Sequence, residues 1–354
     1  MSNNTSKQVG PASSSTESLS GSSISAAVPS LSAENLTKTF GPRVSVDKLN
    51  LKIYPGELYA LLGDNGAGKT TTIGMLTTLI KPSSGTFSIC GHDGLKNSNK
   101  IRGLFGVVSQ DVSVYHELTV YENLRFLAEL YGLKGEAVDK RIEQVLVGSN
   151  LVDRLNDRAG NLSGGMQRRL AIACAMINEP KVLFMDEPTV GLDPAARREI
   201  WTSLKDLKKL GVTVLLTTHY LEEAEILADR IGIIRSGKLV IEGTVQDLSS
   251  RIQGMRGLAL KLADGLDVED AALQSKLEKV TSRFTCTVRI DKLRNTLYLS
   301  QPDEVSAREF LRFVFDWLES EAIPFIKFAS GEPNLEDVFM AVTKTHQHKG
   351  ADDV

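Results

Sequence analysis

Between about residues 33 and 246 the chain alternates short apolar runs with longer amphipathic ones. LYALLG (58–63), GVVSQ (106–110), VLFMDE (182–187) and VTVLLTTH (212–219) are apolar on both faces, as strands covered by helices must be. Between them, 119–133, 164–177 and 195–210 read as helices, and a further helix is expected over 69–80. Thr119 and Asp193-Pro194 supply helix starts. The stretch 233–243 reads as a hairpin turning at Ser236-Gly237. This alternation predicts a parallel-rich α/β domain. From 257 to 345 the order becomes β-α-β-β-α-β, that of a small ferredoxin-like α+β unit. Its helices are expected over 268–280, 305–320 and 334–345.

Composition changes the picture at the two ends. Residues 1–32 are dominated by Ser, Asn, Thr and Ala, and too little apolar area is available to offset backbone ordering. They read as a disordered tail, and 346–354 as a short polar one, in which His346 and His348 fit a frayed terminus better than a metal site. Charge and cysteines mostly exclude. A net charge of −3 argues against general nucleic-acid binding. Cys90, Cys174 and Cys286 are too scattered for a metal site and too few for a disulfide framework, which points to a reducing compartment. No apolar run approaches the roughly 20 residues needed to span a bilayer.

GDNGAGKT (63–70) matches G-x-x-x-x-G-K-[ST] and stands after one expected strand and before an expected helix, as a phosphate-cradling loop must. Gly63, Gly66 and Gly68 let backbone N–H groups close on phosphate oxygens; Lys69 reaches the β- and γ-phosphates, and Thr70 can ligate Mg²⁺. A second strand end should then bring a carboxylate to the metal. Asp186 is so placed, and Glu187, pointing elsewhere, is placed to polarise an attacking water. Solvated decoration of a strand end is the weaker reading of this pair. LSGGMQRRL (162–170) opens a helix capped by Ser163, and TTHYLEEA (217–224) puts His219 at another strand end. Alone, these two would be a common cap and a structural histidine.

In this order, the motifs resemble the nucleotide-binding domain of ABC ATPases over about 33–246. The style of 58–77, 116–133, 162–170, 218–233 and the C-terminal NLEDVFMAVT resembles the A subfamily of ABC transporters and the related bacterial drug-resistance exporters. The resemblance implies a P-loop NTPase core with an antiparallel β element and a helical signature subdomain, followed by a regulatory-type α+β domain. It makes Gly63, Asp64, Asn65, Gly66, Ala67, Gly68, Lys69, Thr70 and Thr71 the Walker A loop, with Ser163, Gly164 and Gly165 in the signature. Asp193 becomes the D-loop acid, Phe40 the aromatic that stacks on adenine, and Glu187, His219 and Gln110 the catalytic group. Mg²⁺ falls to Thr70, Gln110 and Asp186, and the cofactors are ATP and Mg²⁺. Two positions depart from the commonest pattern: Met166 replaces a frequent Gln, and Asp64 puts a carboxylate in the phosphate loop, where it is expected to face away. NLEDVF is expected to dock the extra domain without chemistry, its helix capped by Asn334.

The partners implied are a second nucleotide-binding domain, whose signature completes the ATP site, and transmembrane domains elsewhere, met through the surface around 110–118 at the cytoplasmic face of a membrane. Lipid or amphiphilic drug is the cargo the resemblance implies. The rival is a soluble ABC ATPase acting on ribosomes or chromosomes, which usually carries two such domains or long coiled coils; one domain and no sustained heptads speak against it. A catalytically dead domain conflicts with the presence of Lys69, Asp186, Glu187 and His219. A chain cut after about 246 is expected to keep a soluble ATPase core.

Overall fold

The computed structural model describes residues 28–147, 149–250 and, with interruptions, 257–339. Most of the N-terminal tail, most of the helix expected over 268–280, Asn334 and the polar C-terminus lie outside the described residues. The chain runs β1 (Leu31–Phe40), β2 (Arg43–Ile53), β3 (Leu58–Leu62), α1 (Lys69–Leu76), β4 (Ser84–Ile89), β5 (His92–Asp93), α2 (Ser98–Arg102) and β6 (Phe105–Val108). Then come α3 (Val120–Leu130), α4 (Glu136–Leu146), α5 (Gly164–Ala175), β7 (Val182–Asp186), α6 (Pro194–Lys209), β8 (Thr213–Thr218), α7 (Leu221–Leu227), β9 (Arg230–Arg235), β10 (Lys238–Gly243) and α8 (Val245–Ser250). The C-terminal part adds β11 (Gly257–Leu262), β12 (Val288–Asp291), β13 (Thr296–Ser300), α9 (Ala307–Ser320) and β14 (Phe325–Ser330).

The central sheet has the order β10-β9-β3-β8-β7-β6, parallel except for the β9–β10 hairpin. Every residue of β3, β7 and β8 is buried, which is why these strands read as unbroken apolar runs. One face packs against the antiparallel sheet β2-β1-β4-β5 through Leu36, Leu49, Phe87, Phe184 and Leu215. The other packs against the helices, with Leu124, Ile142, Leu170, Trp201 and Leu216 in one cluster. β1 begins at Leu31, earlier than the boundary at 33, because Leu31 is fully buried and pairs with both Ile53 and Ile89.

The helix starts follow their caps. Thr119 and Glu122 form a reciprocal capping box at α3, and Asp193 accepts the Ala195 and Ala196 N–H groups at 2.9 Å ahead of Pro194. The helix expected over 69–80 stops at Leu76: Thr77 turns its hydroxyl back to Ile73 O (2.8 Å), and Thr78 is left-handed at φ 64°.

The C-terminal sheet is antiparallel with the order β12-β13-β11-β14, the order of a split βαβ pair, and α9 packs on it through Phe310, Val314, Trp317 and Leu318. The end of this part returns to the ATPase core. Leu335 and Val338 are fully buried against Ala60, Leu62, Ile231, Ile233 and Leu248, and Glu225 of α7 accepts the Leu335 N–H at 3.0 Å. Leu335 and Val338 of NLEDVF thus pack on the ATPase core, and a cut after 246 removes Leu248, Leu335 and Val338 from a shared core. Whether the first 246 residues stand alone therefore depends on how much this contact contributes, which truncation measures.

Candidate functional site

The segments that follow β3, β6, β7 and β8 all leave the carboxyl edge of the parallel sheet, the edge where open α/β sheets bind ligands. They bring the phosphate loop, Gln110, the two acids and His219 to one end of the molecule. A cleft of about 360 Å³ lies there. Asn65, Gly66, Gly68, Lys69, Thr70 and Thr71 line it from the loop; Gln110, Glu187, Val190 and His219 line it from the other strand ends, and Arg43 and Ser45 from β2.

The loop is held from behind. Gly63 donates its N–H to Thr218 O at 3.2 Å, and Ala67 donates to Asp64 O at 3.1 Å. Gly68 has φ 108°, and a Cβ there would stand 2.5 Å from Ser45 O, so both conformation and space require glycine. Lys69 is 4% exposed and folds back over the loop, donating Nζ hydrogens to Gly63 O (2.7 Å) and Asp64 O (3.1 Å).

The adjacent acids diverge through the backbone. Asp186 is the last residue of β7, opposite Thr217 of β8, and accepts the Thr217 hydroxyl at 2.5 Å. Glu187 turns left-handed at φ 46°, a conformation that costs a non-glycine residue about 1–3 kcal/mol. Two bonds from the Glu187 N–H hold the turn, to Thr217 O and to Thr217 Oγ1, both 3.1 Å. The turn sends the Glu187 carboxylate into the cleft, where Oε1 meets Lys69 Nζ at 2.9 Å and Oε2 accepts from His219 Nδ1 at 3.0 Å. A carboxylate only accepts, so Nδ1 carries the hydrogen.

The remaining residues singled out from sequence are placed as follows. Gly63 and Ala67 are buried within the loop, and Asp64 is exposed and does not line the cleft. Asp186 stands one residue from the wall and does not line it. Phe40 is 49% exposed at the end of β1, opposite Arg43, with Lys38 Nζ 4.9 Å from its ring centroid. Ser163, Gly164, Gly165 and Asp193 do not line the cleft. They form the starts of α5 and α6, which touch, since a Cβ on Gly165 would lie 2.8 Å from Ala196 Cβ. Sequence reasoning missed Arg43, whose position three residues after Phe40 beyond a Gly-Pro turn was the available signal, and Ser45, which bonds the Thr71 hydroxyl at 2.9 Å.

A parallel sheet whose carboxyl edge carries a glycine loop, its lysine and two strand-end acids defines a P-loop nucleotide-binding protein. The comparisons narrow the class. Residues 46–190 match the family model described as ABC transporter. The chain is 35% identical over 319 residues to the linearmycin resistance ATP-binding protein LnrL of Bacillus subtilis (strain 168), covering 88% of this chain and 98% of that protein. It is 37% identical over 309 residues to the Nod factor export ATP-binding protein I of Burkholderia lata, covering 87% and 95%. The solved dimer of the ATP-binding cassette MJ0796, in a post-hydrolysis state bound to ADP and Pi, matches with a TM-score of 0.55 at 31% identity over 60% of this chain and 98% of that one. The chain belongs to the ATP-binding proteins of ABC transporters. No helix among the described residues is long and apolar enough to cross a membrane.

Proposed function

We propose that this chain binds and hydrolyses Mg-ATP as the motor subunit of an exporter, with an ATPase unit and a C-terminal α+β unit of regulatory type. The observation that carries the reading is the relay Lys69–Glu187–His219 at the mouth of the phosphate loop. Lys69 holds the β- and γ-phosphates, with loop N–H groups around them. Glu187 orients and deprotonates the attacking water, steered by His219 Nδ1–H. Phe40 stacks on adenine from its exposed position, and Arg43, its cross-strand neighbour, adds a cation to the cleft wall. Thr70, Gln110 and Asp186 offer a hydroxyl, an amide oxygen and a carboxylate, an all-oxygen donor set that suits Mg²⁺. When bound, that ion would neutralise charge on the transferred phosphoryl group.

The signature residues Ser163, Gly164 and Gly165, with Asp193, lie away from this cleft, which supports their service to a second copy. Two nucleotide-binding domains then close around the nucleotides, and hydrolysis releases them; the solved cassette with ADP and Pi is itself a dimer. Membrane domains are met through 110–118, where Tyr115 is 54% exposed and packs edge-on to exposed Phe126 at 5.2 Å. On this reading the chain works at the cytoplasmic face of a membrane. The relatives' names concern linearmycin resistance and Nod factor export, which supports export; a lipid or amphiphilic drug is the cargo proposed here. No observation favours action on ribosomes or chromosomes. Calorimetry of Lys69→Ala tests the reading: Mg-ATP affinity should fall about 10- to 100-fold, the worth of a charge-assisted contact. Equal affinity in variant and parent would overturn it.

A further inference from the structure

Arg168 belongs to the signature helix α5, yet both of its terminal nitrogens leave that helix. Nη1 donates to Ser109 O at 2.5 Å and Nη2 to Gln110 O at 2.6 Å. The side chain is 2% exposed, Nε has no hydrogen-bond partner, and burial works against its charge. A buried guanidinium that spends its fork on two successive carbonyls is a rigid link, because the planar fork fixes direction as well as distance. On one side the link reaches the segment leaving β6, where Ser109 Oγ also bonds Asp111 O and Ser113 Oγ, both at 2.7 Å. On the other it reaches the first turns of α5, whose cap is Ser163 and whose Gln167 ties back to Ala159 O and Leu162 O at 3.0 and 3.3 Å. The link thus ties the main chain at Gln110, in the cleft wall, to α5.

We propose that Arg168 is a positioning residue: it sets the place of Gln110 at the nucleotide site by the position of the signature helix, so that docking of the signature on nucleotide and presentation of Gln110 occur as one motion. The inference rests on the reading of Gln110 as a ligand of the metal or the lytic water. It assigns Arg168 no contact with nucleotide. Loss of the link should therefore lower turnover and leave nucleotide affinity nearly unchanged, unlike loss of Lys69.

A double-mutant cycle on the full chain tests this. Phosphate release at saturating Mg-ATP and calorimetric nucleotide affinity are measured for the parent, Gln110→Ala, Arg168→Met and the pair, well below their melting temperatures. Arg168→Met should lower kcat about 3- to 30-fold, the range of coupling through a contact network, with affinity within about twofold. The double variant should be no slower than the slower single one. Arg168→Lys, which can serve one carbonyl, should recover part of the loss, and it carries the cycle if Arg168→Met does not fold. Multiplying effects would overturn the inference, as would an Arg168→Met protein that only melts earlier and turns over like the parent. If Gln110→Ala itself turns over like the parent, the reading of Gln110 falls, and this inference with it.

Discussion

Lys69 Nζ and Glu187 Oε1 stand 2.9 Å apart, with both side chains almost wholly buried. The cation proposed for the phosphates and the acid proposed for the water thus hold each other. Neither charge is left uncompensated in a low-dielectric pocket, which would cost several kcal/mol. On the proposed roles, a γ-phosphate would compete with Glu187 for Lys69, and that exchange would free Glu187 for water.

Glu187→Gln should therefore do more than slow the reaction. It removes a competitor for Lys69 and a negative charge near the phosphates, so Mg-ATP affinity should rise about fivefold, equivalent to roughly 1 kcal/mol. Turnover should fall about 10²- to 10⁴-fold, the usual loss with a general base. With ATP persisting, an ATP-dependent dimer should accumulate on size-exclusion chromatography. Undiminished turnover would return Glu187 to a structural role; weakened binding would mean that the ion pair does not oppose nucleotide.

Asp186→Asn should fail differently. Asp186 is bonded to Thr217 and stands off the cleft wall, so binding of ATP in excess chelator should be nearly unchanged. The Mg²⁺-dependent gain in affinity should shrink, because a ligand charge is lost. Titrations with and without Mg²⁺ separate the two outcomes, and equal Mg²⁺ dependence in variant and parent would remove Asp186 from the metal site.

The shared core of Leu248, Leu335 and Val338 makes the C-terminal part a structural partner of the ATPase. Leu335→Ala should destabilise the chain by about 2–5 kcal/mol, the usual cost of emptying a buried leucine site. Truncation after Ser250 should lower the melting temperature of the ATPase core and expose Leu62 and Ile233. An unchanged melt of the truncated chain, followed by circular dichroism, would show that this contact contributes nothing.

The phosphate loop, the divergent acids and the strand-end histidine were legible because each sits where an unbroken apolar run stops. Glycine spacing and strand ends are local signals, and the backbone follows them. Two features were not legible. That Asp186 and Thr217 bond across β7 and β8 depends on strand register, which is set by packing over 31 residues of separation. That the chain end returns to β3 and β9 depends on Leu335 and Val338 finding Ala60 and Ile231, and two apolar residues name no partner. Arg168 was hidden for a similar reason: one of two adjacent arginines in a polar-looking run gives no sign that it is buried.

Glu223 supplies a pH-dependent prediction. It is fully buried on α7, four residues after His219. Oε1 accepts the Trp201 Nε1–H of α6 at 3.2 Å, while Oε2 makes no hydrogen bond. Burial raises its pKa above the usual 4.5, against smaller opposing effects of the Thr218 and Thr189 hydroxyls, Trp201 and the Arg197 charge. The native state thus holds this proton more tightly than the unfolded chain does. In the window above 4.5 the unfolded state binds fewer protons, so the contribution of Glu223 to stability is fully present below 4.5 and is lost as pH rises through the native pKa. Glu223→Gln keeps the acceptor for Trp201 and the shape, and it cannot ionise. Its melting temperature relative to the parent should therefore climb between pH 4.5 and 8 and level off once Glu223 is ionised in the folded parent. Other carboxylates titrate in both proteins and cancel in the difference. Melting curves of the two proteins across that range check the sign: a difference independent of pH would mean that Glu223 has the same proton affinity folded and unfolded, and a difference that falls with pH would mean that its neighbours, the Thr218 hydroxyl foremost, outweigh burial.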